Sequence, residues 1–436
     1  MKAWPNALSP TGRVGEGLYS PREPERGFNK NPMEKKNTSL TSRQYVVPFV
    51  LITSLFFMWG FARAILDVLN KHFQNELDIS ITQSALIQVT TYLGYFLMAI
   101  PSGLFINRFG YRRGVVFGLL LFGLGSLLFI PCSAMGTFYA FLAALFVIGC
   151  GLTFLETAAN PYATELGPKE TATSRLNFSQ SFNGLGCMFA TFGVGQFLFK
   201  GGSADGGNVA VPYAIMGVLV LVIAVVFSRV NLPEIRHAEE PAAEQAQSGA
   251  AKLRRLLANR MFLFGLTALL AYEVAEISIN SYFINFVTGQ GWMDDKSAAM
   301  VITGALFVFM IGRFIGSWIM RRVAAETMLT VCALGTVACM VLVILDIEKL
   351  SLTALIANYL FEAIMFPTIF SLTVSGLGSL TKSASSILMM TPVGGCGFLL
   401  MGLIADSTGN FILPFFIPLA GFAIVLAYAM KKRAMS

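Results

Sequence analysis

Acidic side chains lie inside stretches of this chain that are otherwise apolar. Asp67, Glu156 and Glu276 are the clearest cases, and Glu362 lies in another such stretch. A carboxylate near the centre of a bilayer costs roughly 2.5–3.5 kcal/mol on membrane-insertion scales, so each one is a candidate functional group. The pattern predicts proton relays or polar binding sites inside a membrane.

The segment FARAILDVLNKHF carries both an arginine and an aspartate. Arg63 and Asp67 are four residues apart, which places them on one face of a helix and allows them to pair. Pairing lowers the cost of burying each charge. The segment is either an ionisable site that faces a water-filled cavity or a structural ion pair that only fixes helix packing.

The segment FLETAANPYATELG carries a carboxylate, Glu156, with no basic residue within its own helical turn. Desolvation disfavours the charged form of such a group, so Glu156 is predicted to bind and release a proton near physiological pH. Asn160 adds an amide one turn later, and Pro161 frees a backbone carbonyl and lets the helix bend. The alternative is a solvated helix end.

The segment RLNFSQSFNGLG places amide side chains along one side of a helix. Asn177, Gln180 and Asn183 follow each other at intervals of three residues. Amides both donate and accept hydrogen bonds, which suits the hydroxyl groups of a sugar once water is excluded. The alternative is hydrogen bonding between helices without a ligand.

The segment AYEVAEISINSYF combines acids, an amide and aromatic rings. Glu276 and Asn280, four residues apart, are predicted to face a cavity, whereas the direction of Glu273 stays open. Tyr282 is a candidate for stacking on the apolar face of a pyranose, although packing is the commoner fate of such rings. Glu362, further along, serves either the site or a packing network.

The elements that must position these residues are spanning helices. Apolar residues make up 55% of the chain and charged residues 13%, which is unlike a soluble domain. A spanning helix needs about 20 apolar residues. We predict an all-α membrane protein with twelve transmembrane helices, at residues 45–70, 82–106, 114–133, 137–164, 174–199, 211–228, 262–287, 297–320, 327–345, 351–377, 383–405 and 411–430.

The distribution of Lys and Arg predicts the orientation of these helices. The 31 basic residues fall mainly in the N-terminus, the even-numbered loops and the C-terminus, which are therefore predicted to be cytoplasmic. The positive net charge of +7 reflects this topology rather than nucleic-acid binding. The basic residues elsewhere are Lys71, Lys200, Lys296, Lys349, Arg63 and Arg313.

The chain divides into two pseudo-symmetric halves of six helices. GLFINRFGYRR, with Arg108, Arg112 and Arg113, is matched by GSWIMRR, with Arg321 and Arg322. Weak internal symmetry of this kind is typical of transporters. We predict a disordered cytoplasmic segment at 1–43, bundles at 44–229 and 261–430, a cytoplasmic linker at 230–260 and a tail at 431–436. MEKKNTSLTSRQ resembles a short cytoplasmic lead, so we expect translation to start at Met33.

No metal or disulfide site is expected. The six cysteines are scattered in or beside helices without a CxxC pair, and the two histidines lack metal partners. We therefore predict no cofactor, with a proton, or alternatively sodium, as the coupling ion. No nucleophile–base set or phosphate loop is present, so we expect no enzymatic activity.

Four segments resemble the fucose:proton symporter family of the major facilitator superfamily. The bacterial L-fucose permease is a member of that family. They are SLFFMWGFARAILDVLNKHFQ, FLETAANPYATELG, RLNFSQSFNGLG and FPTIFSLTVSGLG, and the similarity extends from about residue 43 to 430. The resemblance implies the fold of that superfamily and import of L-fucose, glucose, galactose or N-acetylglucosamine with protons or sodium. It further implies a protonatable role for Asp67, a sugar-binding and protonation-linked role for Glu156 and a sugar-facing Gln180.

Several positions depart from the family's pattern. Arg63 and Ala64 replace two asparagines of the permease, and Glu362 replaces a residue that is usually uncharged. Glu276 replaces a glutamine of the permease, although other members of the family have glutamate there. In the loop signature, which in the family braces the cytoplasmic gate, Asn107 replaces the usual acid. Arg108, Arg112 and Arg113 are therefore either gate residues or a simple positive-inside anchor.

The predicted function is proton-coupled import of a monosaccharide by alternating access. Asp67 and Glu156 are predicted to couple proton movement to transport. The predicted sugar contacts are Glu156, Asn160, Gln180, Asn183, Glu276, Asn280, Tyr282, Arg63 and Glu362. We expect a monomer in the cytoplasmic (inner) membrane of a bacterium. The alternatives are sodium coupling, a drug or metabolite exporter of the same superfamily, and a sugar sensor.

Overall fold

Long apolar segments fold as helices because a helix satisfies its own backbone hydrogen bonds inside lipid. The computed structural model describes residues 40–168, 171–198, 209–230 and 249–435, and in these ranges every regular element is helical. Nearly all of the segment predicted to be disordered (1–43) and the first part of the predicted linker lie outside the described residues. The predicted domain boundaries stay a prediction.

The α-helices up to residue 230 follow the predicted spans closely. A short 3-10 helix, Arg43–Tyr45, precedes them. They are α1 (Val46–Leu77), α2 (Ile81–Ser84), α3 (Leu86–Phe109), α4 (Tyr111–Leu127), α5 (Phe129–Met135), α6 (Phe138–Glu165), α7 (Ala172–Leu198) and α8 (Ala210–Arg229).

The remaining described helices begin inside the predicted linker, where α9 forms. They are α9 (Gly249–Ala258), α10 (Arg260–Gly289), α11 (Asp295–Ile319), α12 (Ala325–Ile344), α13 (Glu348–Glu362), α14 (Met365–Val374), α15 (Thr381–Leu388), α16 (Gly397–Thr408) and α17 (Phe416–Arg433). Short 3-10 helices lie at Gly378–Leu380, Thr391–Cys396 and Leu413–Phe415.

Eleven helical segments among the described residues are long and apolar enough to cross a membrane. Helix α7 has 27 residues but is not one of them, because its glycines and amide side chains lower its hydropathy. It packs between α1 and α11, away from lipid over much of its length. With α7 included, the predicted number of twelve spans fits the fold.

Four predicted spans are interrupted in the structure, two of them at a single turn residue, Ala85 or Leu128, and two near a proline. The span predicted at 351–377 is divided into α13 and α14 just before Pro367, whose ring cannot continue an unbroken hydrogen-bond ladder. The span predicted at 383–405 passes through the 3-10 segment Thr391–Cys396, which contains Pro392 and two adjacent glycines. Breaks of this kind are tolerated in a membrane where neighbouring helices bury them.

Glycines bring α1 and α7 into close contact. A side chain at Gly60 would collide with the backbone of Asn183, and one at Gly186 would collide with the backbone of Phe57. Small residues at such crossings let helix backbones approach each other in membranes. The close approach places the polar faces of α1 and α7 around one central space, opposite α10 and α11.

Candidate functional site

Arg63 links α1 to α10 across the centre of the molecule. Its Nη2 donates hydrogen bonds to Oε2 of Glu276 at 2.6 Å and to Oε2 of Glu273 at 3.1 Å. Its Nε donates to the hydroxyl of Tyr92 on α3 at 3.2 Å. Both glutamates are buried. One guanidinium on α1 therefore binds two carboxylates of α10 and a tyrosine of α3.

Asp67 does not pair with Arg63, contrary to the first interpretation of their spacing. Ser281 on α10 donates a hydrogen bond to Oδ1 of Asp67 at 2.6 Å, and Gln88 on α3 donates to Ser281 at 3.0 Å. Among the ion pairs of the described residues, none includes Asp67. Both side chains of α1 find partners on α10, so the helix–helix interface replaces pairing along α1.

Glu156 lies buried on α6 and accepts a hydrogen bond from a neutral group. The hydroxyl of Tyr95 on α3 donates to its Oε1 at 2.7 Å. The described ion pairs include no partner for Glu156. Asp67 and Glu156 thus share a feature that sets them apart from Glu273 and Glu276: each is bonded by a hydroxyl group rather than a guanidinium.

The amides form a chain between α6 and α7. Gln180 Nε2 donates to Oδ1 of Asn160 at 3.3 Å, and both side chains are buried. Asn183, one turn further along α7, is also buried. The structure therefore brings Asn160 of α6 to the same region as Gln180 and Asn183 of α7.

Arg313 on α11 is a site residue that the sequence analysis did not assign. Its Nη1 donates to Oε1 of Gln180 at 2.9 Å and to Oδ1 of Asn183 at 3.3 Å. Its Nε donates to the carbonyl of Ala363 at 2.8 Å, and the guanidinium lies 4.2 Å from the centre of the Phe309 ring. The signal was present, since Arg63, Arg175 and Arg313 are the basic residues inside the predicted spans.

A small cavity lies between these groups. Its volume is about 10 Å³, which is room for about one water molecule. Polar side chains of Arg63, Glu156, Gln180, Glu276 and Arg313 line it. The other lining residues are aromatic and were also missed by the sequence analysis: Trp59, Tyr272 and Phe366. Trp59 lies four residues before Arg63, so the helical repeat could have indicated it.

Three further predicted residues lie outside the cavity wall. Asn280 Nδ2 donates to Oε1 of Glu276 at 3.0 Å and so supports a lining residue. Glu362 is fully buried on α13, where Asn358 donates to its Oε2 at 2.6 Å. Tyr282 donates to the carbonyl of Phe411 at 3.3 Å and packs on Phe415, so in this conformation its ring belongs to the core.

The end of the bundle at which α1 finishes is closed by polar contacts between α1–α7 and α10–α16. Asp406 accepts hydrogen bonds from the backbone N–H of Thr82 at 2.9 Å and from its hydroxyl at 2.5 Å. Asp295 accepts from Asn75 at 2.9 Å and lies 3.5 Å from Nζ of Lys71. We call these contacts the outer closure.

The opposite end is closed by neutral side chains, and we call these contacts the inner closure. The hydroxyls of Thr173 and Ser371 lie 2.6 Å apart, and Ser174 donates to the carbonyl of Ser317 at 2.9 Å. Among the described residues, no carboxylate lies within ion-pair distance of Arg108, Arg113 or Arg321.

The other two predicted gate arginines have contacts within their own part of the chain. Arg112 donates to the backbone carbonyl of Ser228 at the end of α8, and the guanidinium of Arg322 lies 5.3 Å from the centre of the Trp318 ring. No group of three or more His, Cys, Asp or Glu side chains is arranged for a metal ion in the described ranges. The site is thus built from carboxylates, guanidiniums, amides and aromatic rings.

This geometry agrees with the comparisons with known proteins. A model of the Major Facilitator Superfamily matches residues 50–396. The chain belongs to the major facilitator superfamily. It is 34% identical to a glucose/galactose transporter of Brucella abortus, over 92% of this chain and 97% of that protein. It is also 34% identical to the L-fucose-proton symporter of Escherichia coli, over 89% of this chain and 93% of that protein.

Solved structures support the same placement within the major facilitator superfamily. The crystal structure of the Escherichia coli fucose:proton symporter matches with a TM-score of 0.75 at 33% identity, covering 89% of this chain and 99% of that one. The resemblance to the fucose:proton symporter family is thereby confirmed. The chain is a multi-pass membrane protein of a transporter family and not an enzyme.

Proposed function

We propose that this member of the major facilitator superfamily imports a monosaccharide together with protons, by alternating access. The monosaccharide is L-fucose or a related hexose or N-acetylhexosamine. The names of its relatives, a glucose/galactose transporter and an L-fucose-proton symporter, support a sugar as cargo. We place the protein in the bacterial cytoplasmic membrane, as a monomer with both termini in the cytoplasm, on the distribution of its basic residues.

The observation that carries the proposal is the type of hydrogen-bond partner that each acid near the central cavity has. Asp67 and Glu156 accept hydrogen bonds from the hydroxyls of Ser281 and Tyr95, whereas Glu273 and Glu276 share Arg63. A hydroxyl group can bond a carboxylate and can also bond a neutral carboxylic acid. Asp67 and Glu156 are therefore free to change protonation without losing a buried ion pair.

The balance of buried charge also favours proton binding. Four buried carboxyl groups (Glu156, Glu273, Glu276 and Glu362) and the half-buried Asp67 surround the centre, where the described residues supply two guanidiniums, Arg63 and Arg313. An uncompensated charge in a dry interior is strongly destabilising. The closed conformation is thus stabilised when the acids without a guanidinium partner carry protons.

A sugar fits the chemistry of the cavity wall. Its hydroxyls need donors and acceptors once water is excluded, and Glu156, Gln180 and Arg313 offer both. The rings of Trp59, Tyr272 and Phe366 offer flat apolar surfaces for the C–H face of a pyranose. Binding sites of this composition, apolar with a few directed polar groups, are typical for small molecules.

The cycle requires the two sides of the site to separate. A cavity of about 10 Å³ holds no hexose, so the substrate enters only when the outer closure opens. Protonation of Asp67 and Glu156 then lowers the cost of closing the cavity around the sugar. Breaking of the inner closure releases the sugar and protons to the other side, and the membrane potential contributes about 2.3 kcal/mol per charge per 100 mV.

The test is a pH-electrode recording on energy-depleted cells that express the protein, with and without sodium. Addition of a transported sugar is expected to raise the external pH without sodium, because protons enter with the sugar. Sugar uptake that requires sodium and leaves the external pH unchanged would assign sodium as the coupling ion. Dye efflux in place of sugar uptake would instead assign an exporter, and both results contradict the proposal.

A panel of sugars narrows the substrate in the same cells. L-Fucose, glucose, galactose and N-acetylglucosamine are each added to a fresh sample. The sugar that gives the largest initial proton uptake at low concentration is the candidate substrate. Cells that express the Asp67→Asn variant provide the baseline for each sugar.

A further inference from the structure

A second and much larger cavity lies far from the sugar site, at the junction of α3 and α4. Its volume is about 810 Å³, and Ser228 at the end of α8 closes one side of it. We call it the arginine groove and define it by Phe105, Arg108, Arg112, Arg113, Phe117 and Leu120. It lies at the predicted cytoplasmic edge of the membrane, where the chain turns at Gly110.

The polar part of the arginine groove is positively charged. Arg108, Arg112 and Arg113 line it, and none of its lining residues is acidic. The Arg112 guanidinium is positioned by its hydrogen bond to the carbonyl of Ser228. Arg108 lies with its guanidinium 5.2 Å from the centre of the Phe109 ring, and Arg113 is exposed. Guanidiniums held in this way match the oxygens of a phosphate group.

The other wall of the arginine groove is apolar. The rings of Phe105 and Phe117 stack with their centres 5.2 Å apart, and Leu120 follows one turn later on α4. Phe117, Leu120 and Leu124 are 37%, 42% and 54% exposed, so the apolar wall continues along the lipid-facing side of α4. A soluble anion would have no use for this wall, whereas an acyl chain would lie along it.

We propose that the arginine groove binds one anionic phospholipid, with its phosphate on the three arginines and an acyl chain along Phe117 and Leu120. Basic pockets at the cytoplasmic ends of spanning helices are known to bind anionic lipid headgroups. The lipid would contact α3, α4 and the end of α8, so it would join three helices at their predicted cytoplasmic ends. This site is separate from the proposed sugar site and does not depend on it.

Native mass spectrometry of the purified full-length protein tests the proposal. The protein is released from detergent in the presence of phosphatidylglycerol or, in a parallel sample, phosphatidylcholine. We expect one phosphatidylglycerol adduct that survives activation under which phosphatidylcholine is lost. In the variant Arg108→Gln/Arg112→Gln/Arg113→Gln the apparent affinity for phosphatidylglycerol is expected to fall at least about tenfold.

Two variants guard against misfolding and against non-specific attraction. Arg113→Gln removes an exposed side chain and is expected to weaken phosphatidylglycerol binding several-fold while the protein still unfolds at its normal temperature. Arg321→Gln/Arg322→Gln removes charge from the corresponding loop of the other half and is expected to leave phosphatidylglycerol binding unchanged. Equal loss in this control would show general charge attraction and overturn the proposal.

Two further experiments distinguish the lipid from other occupants of the arginine groove. If excess inorganic phosphate displaces the lipid as well as a short-chain phosphatidylglycerol does, the groove is a site for a soluble anion and the proposal fails. If phosphatidylglycerol binds only after Glu234, Glu239, Glu240 and Glu244 are replaced by Gln, these glutamates of the predicted linker are the natural occupants, and the proposal fails in that case too.

Discussion

Nη2 of Arg63 on α1 lies 2.6 Å from Oε2 of Glu276 on α10. The pair connects the two sides of the central cavity, and both residues line it. Because Glu273 shares the same guanidinium at 3.1 Å, Arg63 compensates two acids at once. Any movement that separates α1 from α10 must break these bonds or replace them with bonds to a substrate.

Arg63→Gln is expected to destabilise the protein more than the simultaneous replacement of Arg63 and Glu276. Removing one member of a buried ion pair typically costs about 3–5 kcal/mol, because it leaves an uncompensated charge. The double variant Arg63→Gln/Glu276→Gln restores neutrality between these two positions. We expect its unfolding temperature in detergent to lie above that of Arg63→Gln.

The comparison needs the single variant Glu276→Gln as well, to complete the double-mutant cycle. If the effects of the two single substitutions simply add in the double variant, the bond between Arg63 and Glu276 has no energetic weight. His72→Gln is the control for the loss of a polar contact elsewhere on α1. It removes a contact of 2.7 Å to Glu76, which lies on the same helix.

Asp67→Asn is expected to abolish accumulation of sugar against its gradient and to spare exchange of sugar across the membrane. Asparagine keeps the shape and can still accept the hydrogen bond from Ser281, but it cannot carry a titrating proton. The measurement is the uptake of labelled sugar into vesicles with an imposed proton gradient, beside an exchange assay without a gradient.

The matched control is Asp78→Asn, the same change at an exposed acid just after the end of α1. Asp78 has φ 50°, a backbone conformation that asparagine also adopts. We expect normal accumulation in this variant. Normal accumulation in Asp67→Asn as well would remove Asp67 from proton coupling.

Tyr95→Phe is expected to weaken sugar binding by about tenfold to a hundredfold, since a hydrogen bond to a charged group contributes about 1.5–3 kcal/mol. The substitution leaves Glu156 without the hydroxyl that holds its Oε1. Glu156→Ala is expected to abolish binding. Isothermal titration calorimetry with the transported sugar gives both values.

Tyr213→Phe serves as the reference for the loss of a buried hydroxyl. The hydroxyl of Tyr213 has no hydrogen-bond partner among the described residues, and its ring stacks on Phe129 away from the cavity. We expect an unchanged sugar affinity there. An affinity in Glu156→Ala equal to that of the native protein would place the sugar elsewhere.

Removal of the outer closure is expected to shift the protein toward an outward-open form. Asp406→Ala with Asp295→Ala eliminates the acceptors for Thr82 and Asn75, each hydrogen bond contributing about 0.5–1.5 kcal/mol. Spin labels at positions 78 and 407 report the distance across the outer closure by pulsed electron paramagnetic resonance. We expect a longer distance to gain population.

Gln290→Ala is the control for that experiment. Gln290 donates to Asp346 at 2.8 Å near the same end of the molecule, but both residues lie within the α10–α17 part of the chain. Its loss is expected to leave the distance distribution unchanged. An unchanged distribution after the double substitution would show that other contacts keep the outer end closed.

The sequence predicted which side chains would be important better than it predicted their partners. Asp67, Glu156 and Gln180 stand out because a polar group in an apolar span is costly. The partners of Arg63 come from α3 and α10, and helical spacing describes only neighbours on the same helix. The interpretation of Arg63 with Asp67 as a pair was wrong for this reason.

Which aromatic side chains line the cavity and which pack in the core was the hardest feature to predict from the sequence. In a soluble helix a polar stripe marks the outer face, but lipid makes the outer face of a spanning helix apolar too. Tyr282 and Tyr272 lie on the same helix, and nothing in their surroundings in the sequence distinguishes the ring that lines the cavity from the ring that packs in the core. Interhelical contacts decide this, and they appear only in the fold.

The cavity of about 10 Å³, shut off by contacts at both ends, has a consequence for the energy economy of the cell. A single trapped water cannot form a hydrogen-bonded wire from one face of the membrane to the other. In this closed form, we therefore expect no continuous water path for protons through the part of the chain that the structure describes. A cell could therefore hold many copies of the protein in its membrane without dissipating its proton-motive force.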